Sequence, residues 1–130
     1  DLAKEMKRSI DICAQLKIKY SNPRIKVQSL SGGNQQKVVL GRLLGDDSDI
    51  VLLDEPTRGI DIASKVEIYS LIVSLAQAGK AMVMVSSYVP ELLGICHKIG
   101  VMFRGTLSAL KPVTEWDEEK IMQWATSGRN

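Results

Sequence analysis

The sequence is poor in the residues that most often announce a function. Two cysteines, Cys13 and Cys96, and one histidine, His97, occur in the 130 residues. No zinc-ligand spacing and no disulfide framework can be assembled from them, which excludes a metal-stapled or cystine-rich secreted domain and fits a reducing compartment. No apolar run approaches the roughly eighteen residues needed to cross a bilayer, and the first residues lack the charged, apolar and small-residue order of a secretory signal. The net charge of +2 is small, and no basic tract stands out. Lys4, Lys7, Arg8, Lys17, Lys19, Arg24 and Lys26 are spaced among apolar residues, as on a solvated helix face. Nucleic acid asks instead for a concentrated basic stripe with base-reading or stacking side chains beside it, so no nucleic-acid partner is expected.

What is present is enough for a core, since a chain of this length hides roughly two thirds of its unfolded surface. Leu2, Met6, Ile10, Cys13, Leu16 and Tyr20 recur at helical steps and predict one amphipathic helix over 2–20, stopped by Asn22-Pro23. Arg24 to Leu30 reads as an extended connector. Ser31 reads as an N-cap with Gly32 and Gly33 in the first turn, and Val38, Val39, Leu43 and Leu44 give that helix an apolar side until Gly45. Ile50 to Leu53 is a continuous apolar run, the pattern of a strand covered on both faces. Asp61 is placed to cap a helix that turns Ile62, Val66, Tyr69, Ile72, Val73 and Ala76 inward and ends at Gly79.

Ala81 to Val85 predicts a second buried strand. Pro90 suits the first turn of a short helix in which Leu92, Leu93 and Cys96 pack. Arg104-Gly105 between two apolar runs signals a hairpin, and Thr114 with Asp117 offers an acidic capping box for a last helix on which Trp116 and Trp124 share a face. Strands alternating with helices predict an α/β fold with parallel strands and crossover helices, with function at the carboxyl ends of the strands. The carboxylates Asp54 and Glu55 and the serines Ser86 and Ser87 fall there.

A helix that begins Ser31-Gly32-Gly33 offers unpaired N–H groups, a partial positive charge and a hydroxyl, with no Cβ on the glycines to hold a phosphate away. The run Asn34-Gln35-Gln36-Lys37 then fills the next turn with hydrogen-bonding groups. Asp54 and Glu55 close an apolar strand, where successive side chains alternate. One carboxylate can therefore hold Mg²⁺ through its water shell while the other reaches the water that attacks a phosphoryl group. Taken singly, a plain serine cap and a solvated strand end remain open readings; together the two features point to phosphoryl transfer.

LSGGNQQK, Leu30 to Lys37, resembles the signature motif of ATP-binding cassette proteins, and IVLLDEPTRGID, Ile50 to Asp61, resembles their Walker B strand and D-loop. NQQK, DEPTRGID and VSSYVPELLGICHKIGVMFRGTLSAL are similar, more narrowly, to the second nucleotide-binding cassette of the duplicated ATPase subunits in bacterial sugar importers of the ribose, galactose and xylose type. The resemblance covers essentially the whole chain. It implies a P-loop NTPase core with ATP and Mg²⁺ as cofactors. Ser31, Gly32 and Gly33 would contact the γ-phosphate of an ATP held by the opposite cassette of a head-to-tail pair, with Gln35 counted among the nucleotide-facing residues. Asp54 would order Mg²⁺ through water, Glu55 would polarise the hydrolytic water, and Asp61 would lie in the D-loop at the pair's interface. Asn34 to Lys37 otherwise mark the lineage. The implied partners are another ATP-binding cassette of the same subunit or a second copy, transmembrane permease subunits and, indirectly, a periplasmic sugar-binding protein. The implied place is peripheral, on the cytoplasmic side of the bacterial inner membrane.

Ser87 stands where most such ATPases carry a switch histidine, as expected of this subfamily, whereas Tyr88 replaces its usual acidic residue. His97 reads as a packing or surface residue. No GxxxxGK[ST] loop and no glutamine loop occur in the sequence. The chain is accordingly expected to be the C-terminal part of a cassette: 1–48 the end of the helical subdomain with the signature motif and helix, 49–130 the later half of the ATPase core. By itself it is expected to show little or no ATPase activity. Two alternatives are a weakly active cassette kept for nucleotide-dependent pairing and a soluble, non-transport ATPase of the same superfamily. Gly33→Asp is expected to spare the fold and damage pairing.

Overall fold

The computed structural model describes residues 2–44 and 48–128. The chain divides between Val85 and Ser86 into two compact units, taken here in turn.

In the first unit, α1 (Leu2–Gln15) stops five residues short of the predicted end. Lys17 takes a left-handed conformation (φ 51°). Its N–H donates to the Ala14 carbonyl at 3.1 Å, and the Ile18 N–H donates to the Cys13 carbonyl at 2.9 Å. This paired bond pattern is a Schellman stop built on lysine where glycine is usual. The turn buries Leu16 and Ile18. The expected extended connector contains a 3₁₀ turn at Val27–Ser29.

α2 (Gly32–Leu44) begins where predicted, with the Ser31 carbonyl accepting the Gln35 N–H at 2.9 Å. Its buried stripe is Gly33, Lys37, Leu40 and Gly41, while Val39 is exposed, so the expected apolar side is displaced. Close packing selects that stripe, because a Cβ on Gly41 would lie 2.7 Å from Leu16 Cδ1. The expected stop at Gly45 lies outside the described residues.

β1 (Ile50–Asp54) and β2 (Ala81–Val85) pair in parallel, with Ile50 opposite Ala81 and Asp54 opposite Val85. The crossover between them is α3 (Ile62–Gln77). Asp61 caps this helix as predicted, and the helix ends in a second Schellman stop, with Gly79 at φ 96° and the Lys80 N–H on the Leu75 carbonyl at 3.2 Å. The inward face of α3 differs from the expectation. Ile68, Ile72 and Leu75 are buried, whereas Ile62 and Val66 are 83% and 58% exposed. α3 has apolar residues around much of its circumference, so periodicity alone does not select a face; packing against α2 does. The expected two-sided cover of the strands is also corrected. Val51 and Leu53 are buried, but Ile50, Leu52, Val83 and Val85 form an open apolar face.

The second unit holds α4 (Val89–Ile95), with proline in its first turn as expected. β3 (Lys98–Ile99) pairs antiparallel with β6 (Lys111–Pro112), and β4 (Met102–Phe103) pairs with β5 (Thr106–Leu107). Arg104 (φ 43°) and Gly105 (φ 81°) form the two-residue hairpin turn, a pair of left-handed residues that suits strand twist. Between the two pairings, the buried Ser108 hydroxyl accepts the Val101 N–H at 2.8 Å. α5 (Glu118–Ser127) is capped by Asp117, which accepts the Lys120 N–H at 2.8 Å. The expected Thr114 box is absent because Val113–Glu115 forms a 3₁₀ turn. Trp116 therefore precedes α5 and does not share its face with Trp124. Both still enter the core with Ile99, Val101 and Ile121, and Trp116 Nε1 donates to the Ile99 carbonyl at 3.0 Å. Among the described residues no helix is long and apolar enough to cross a membrane.

Candidate functional site

The mouth of α2 is built by its own polar run. Asn34 Nδ2 donates to Ser31 Oγ at 2.9 Å, and Asn34 Oδ1 accepts the Lys19 N–H at 3.1 Å. Gln35 Nε2 donates to the Leu30 carbonyl at 2.8 Å and is 3.4 Å from that of Gln28, so its amide N–H groups staple the chain entering the helix. Lys37 is almost fully buried; its ammonium pairs with Glu67 of α3 and donates to the Lys17 carbonyl at 3.4 Å. One lysine thus ties the stop of α1, the body of α2 and α3 together. The Lys37 hydrogen bond and charge hold the Glu67 carboxyl below its usual range.

The two glycines differ. Gly32 is exposed, and a Cβ there would meet nothing within 4 Å. Gly33 is buried, and a Cβ there would lie 2.5 Å from Ser64 Oγ and 2.7 Å from Ser64 Cβ. The mouth of α2 is therefore pressed onto the first turn of α3, next to Asp61. The Asp61 carboxylate accepts the Ser64 N–H at 2.9 Å, and hydrogen bonds from the Ser64 backbone and then its hydroxyl hold its pKa below the ordinary value. The structure brings Ser31, Gly32, Gly33 and Asp61 to one corner. It also corrects the expectation that Gly33→Asp leaves the fold untouched, because the new Cβ would press on Ser64 and destabilise the packing of α2 on α3.

Asp54 ends β1 on the open face, exposed. Glu55 is half-buried and leaves the strand at φ 45°, a left-handed conformation uncommon for a residue with a Cβ. Its N–H donates to the Val85 carbonyl at 2.9 Å, and its carbonyl accepts the Arg58 N–H at 3.1 Å. The backbone thus divides the two residues, Asp54 ending the strand and Glu55 opening the turn. Pro56 and Thr57, the central residues of that turn, are buried. Strain at such a point is commonly retained where function fixes a side chain. Ser87, exposed, belongs to the second unit, after Ser86.

Sequence reasoning gave Asn34 and Lys37 no role beyond lineage, and overlooked Ser64 and Glu91. The signal for Ser64 was legible, since Asp61-x-x-Ser64 puts a cap and its partner at the expected spacing. A bond such as Lys37 to the Lys17 carbonyl depends on where α1 stops, which the sequence does not announce.

This arrangement has close relatives. A putative metal-chelate type ABC transporter in an inward-facing conformation aligns with a TM-score of 0.77 at 21% identity, over 92% of this chain and 48% of that one. An ATP-binding cassette of an ABC transporter in its ADP conformation aligns with a TM-score of 0.70 at 25% identity, over 95% and 47%. The fold is thus that of an α/β ATP-binding cassette. In sequence, residues 3–58 match the ABC transporter family. The ribose import ATP-binding protein of Halalkalibacterium halodurans is 43% identical over 129 residues, 98% of this chain and 26% of that protein. The xylose import ATP-binding protein of Thermoanaerobacter pseudethanolicus is 47% identical over 115 residues, 88% of this chain and 23% of that protein. The chain is an ABC transporter ATPase-domain sequence, homologous to the sugar import ATP-binding proteins. It spans about a quarter of the length of the curated relatives it matches.

Proposed function

We propose that the chain is part of the second cassette of an ATPase subunit that couples Mg-ATP hydrolysis to sugar import, peripheral to the cytoplasmic face of the bacterial inner membrane. Residues 1–48 supply the end of the helical subdomain and the signature helix, and 49–130 the later half of the ATPase core. The observation that carries this reading is the similarity to sugar import ATP-binding proteins across nearly the whole chain, including both LSGGNQQK and LLDEPTRGID. Permease subunits receive the stroke, and a periplasmic binding protein delivers the sugar.

In this reading Ser31 and the N–H groups at the open face of Gly32 meet the γ-phosphate of ATP bound by the opposing cassette, with Gln35 stapling the helix mouth and Gly33 letting it lie against Asp61 and Ser64. Mg²⁺ suits an exposed Asp54, because that ion keeps several waters and needs few protein carboxylates. Asp54 would hold such an ion through its water shell. The ion supplies charge neutralisation on the phosphates. Glu55 accepts a hydrogen bond from the attacking water and orients it. The alternative of a weakly hydrolytic cassette kept for pairing is favoured by Ser87, whose hydroxyl can donate a hydrogen bond but cannot become a cation near neutral pH.

Glu55→Gln in the full-length protein tests the assignment. Loss of the carboxylate's charge and basicity should slow hydrolysis by about 10²–10⁴-fold with ATP affinity nearly unchanged. Parallel loss of affinity and turnover would remove Glu55 from that role, and turnover unchanged by the substitution would favour the pairing cassette.

A further inference from the structure

Glu91 is 3% exposed, a carboxyl sunk into the second unit beside apolar neighbours. Val89, Leu92, Leu93 and Cys96 around it pack against the core. Burial, and after it the Glu91 charge, pushes the Cys96 thiol up. A buried carboxyl is costly in such surroundings unless hydrogen bonds hold it. Glu91 Oε1 accepts a hydrogen bond from the Ser86 hydroxyl. The same Ser86 oxygen accepts the Tyr88 N–H at 3.0 Å, and the Glu91 N–H donates to the Tyr88 carbonyl at 3.1 Å. Ser86 is thereby held by the buried Glu91 side chain and Tyr88 by the Ser86 oxygen and the Glu91 backbone N–H, with Ser87 between them.

We propose that Glu91 is a positioning residue for Ser87, setting through Ser86 where the Ser87 hydroxyl stands when it meets the nucleotide phosphate. The inference rests on the ATPase reading above and on Ser87 acting in place of a switch histidine. A serine hydroxyl lies one bond from Cβ, so it follows its backbone closely. An imidazole reaches farther and can absorb a backbone shift by turning about two side-chain bonds. A serine at this position therefore depends more heavily on a fixed backbone, and misplacement by about 1 Å can cost on the order of a hundredfold in rate. The buried Glu91–Ser86–Tyr88 clamp meets that demand.

The test is steady-state ATP hydrolysis by the full-length ATPase, expressed per nucleotide-binding molecule so that unfolded protein does not enter the rate. Ser87→Ala, Glu91→Ala, Glu91→Gln and Ser87→Ala/Glu91→Ala are compared, and Ser86→Ala removes the clamp from its other end without emptying a large volume. Glu91→Ala and Ser86→Ala should each lower kcat by about tenfold with KM within about twofold, and Glu91→Gln, whose amide oxygen still accepts from Ser86, should restore most of the rate. In the Ser87→Ala background, Glu91→Ala should add less than about twofold, since the two residues act as one unit. Equal effects of Glu91→Ala in both backgrounds would overturn the positioning role while leaving Ser87 in place. If Ser87→Ala alone leaves turnover unchanged, the switch assignment and this inference both fall; the Glu55→Gln result reports separately on the ATPase reading.

Discussion

Asn34 holds Ser31 from one side only: its Nδ2 donates to Ser31 Oγ at 2.9 Å while its Oδ1 is occupied by the Lys19 N–H at 3.1 Å. A backbone N–H can only donate, so this second bond fixes which end of the amide faces the serine. The serine oxygen accepts from Asn34, and its own proton is left to point away. A residue that sequence alone read as a lineage mark thus fixes the serine oxygen as an acceptor and leaves its proton for another partner.

Asn34→Asp should separate fold from function. An acid in the first turn of a helix is favoured by the helix dipole, so thermal stability should hold or rise slightly. A carboxylate cannot donate to Ser31; it would accept the serine proton, turn it inward and add negative charge beside the proposed phosphate site. ATP-dependent pairing of cassettes, followed by light scattering in a Glu55→Gln background, should weaken by about tenfold or more. Undiminished pairing would show that the Ser31 hydroxyl is not aimed at phosphate.

The two glycines of the signature should fail in opposite ways. Gly32→Ala places its Cβ in open space, at a helix position where alanine is the better former by up to about 1 kcal/mol, so the fold should persist while pairing falls. Gly33→Ala drives a Cβ to 2.5 Å from Ser64 Oγ, an overpacking expected to cost about 1–3 kcal/mol. Ser64→Gly removes both clashing atoms and should recover most of that loss. Melting curves for the single and double variants check the order; a Gly33→Ala protein as stable as wild type would contradict the packing of α2 on α3.

How far such details could be read from sequence depends on the residue that carries them. The stop of α3 was legible because glycine occupies its left-handed position at Gly79, whereas the same bond pattern at the end of α1 is carried by Lys17 and looks like continuing helix. Asp61 and the Arg104-Gly105 turn were legible because capping and tight turning are local chemistry. The buried faces of α2 and α3 were not, since both were chosen by the contact between them: Gly33 against Ser64, and Lys37 against Glu67. The run IVLL read as two-sided because it is apolar throughout, yet Leu52 stays 74% exposed. In the candidate site, residue types announced the carboxylates and glycines; the bonds over residues 86–91 and from Asn34 to Ser31 are local, whereas the Lys19–Asn34 bond that orients the amide depends on tertiary placement.

The Lys37–Glu67 pair should respond unequally to loss of its two members. Lys37 has a side chain 7% exposed and Glu67 one 51% exposed. Glu67→Gln leaves a buried ammonium with the Lys17 carbonyl and a weaker acceptor, expected to cost about 1–3 kcal/mol. Lys37→Met replaces the buried charge by an apolar chain of similar length and leaves a hydrated carboxylate outside, so it should cost under about 1 kcal/mol. Native-state hydrogen exchange of the α2 and α3 amides in the full-length protein reads both values locally. The reverse order would mean that the lysine contributes through its charge more than through its packing.

Asp61 gives the corner a pH dependence whose sign is set by its depressed pKa. The Ser64 backbone N–H, then the Ser64 hydroxyl, favours the ionised carboxylate in the folded state, with a smaller opposing contribution from burial. A carboxyl whose folded pKa lies below its unfolded one contributes stability that is fully present above the unfolded value and disappears as pH falls through the folded value. The window therefore opens near the ordinary aspartate value of 3.8 and closes below it. Asp61→Asn keeps an oxygen that can accept the Ser64 N–H, and asparagine caps helices about as well as aspartate, but it has no proton to take up. Wild type should exceed Asp61→Asn in melting temperature at neutral pH, and the gap should shrink toward zero as acid protonates Asp61. The two proteins differ only at residue 61, so the difference between their curves isolates this carboxylate. Parallel curves down to the acid limit would mean that the α3 cap does not depend on the Asp61 charge.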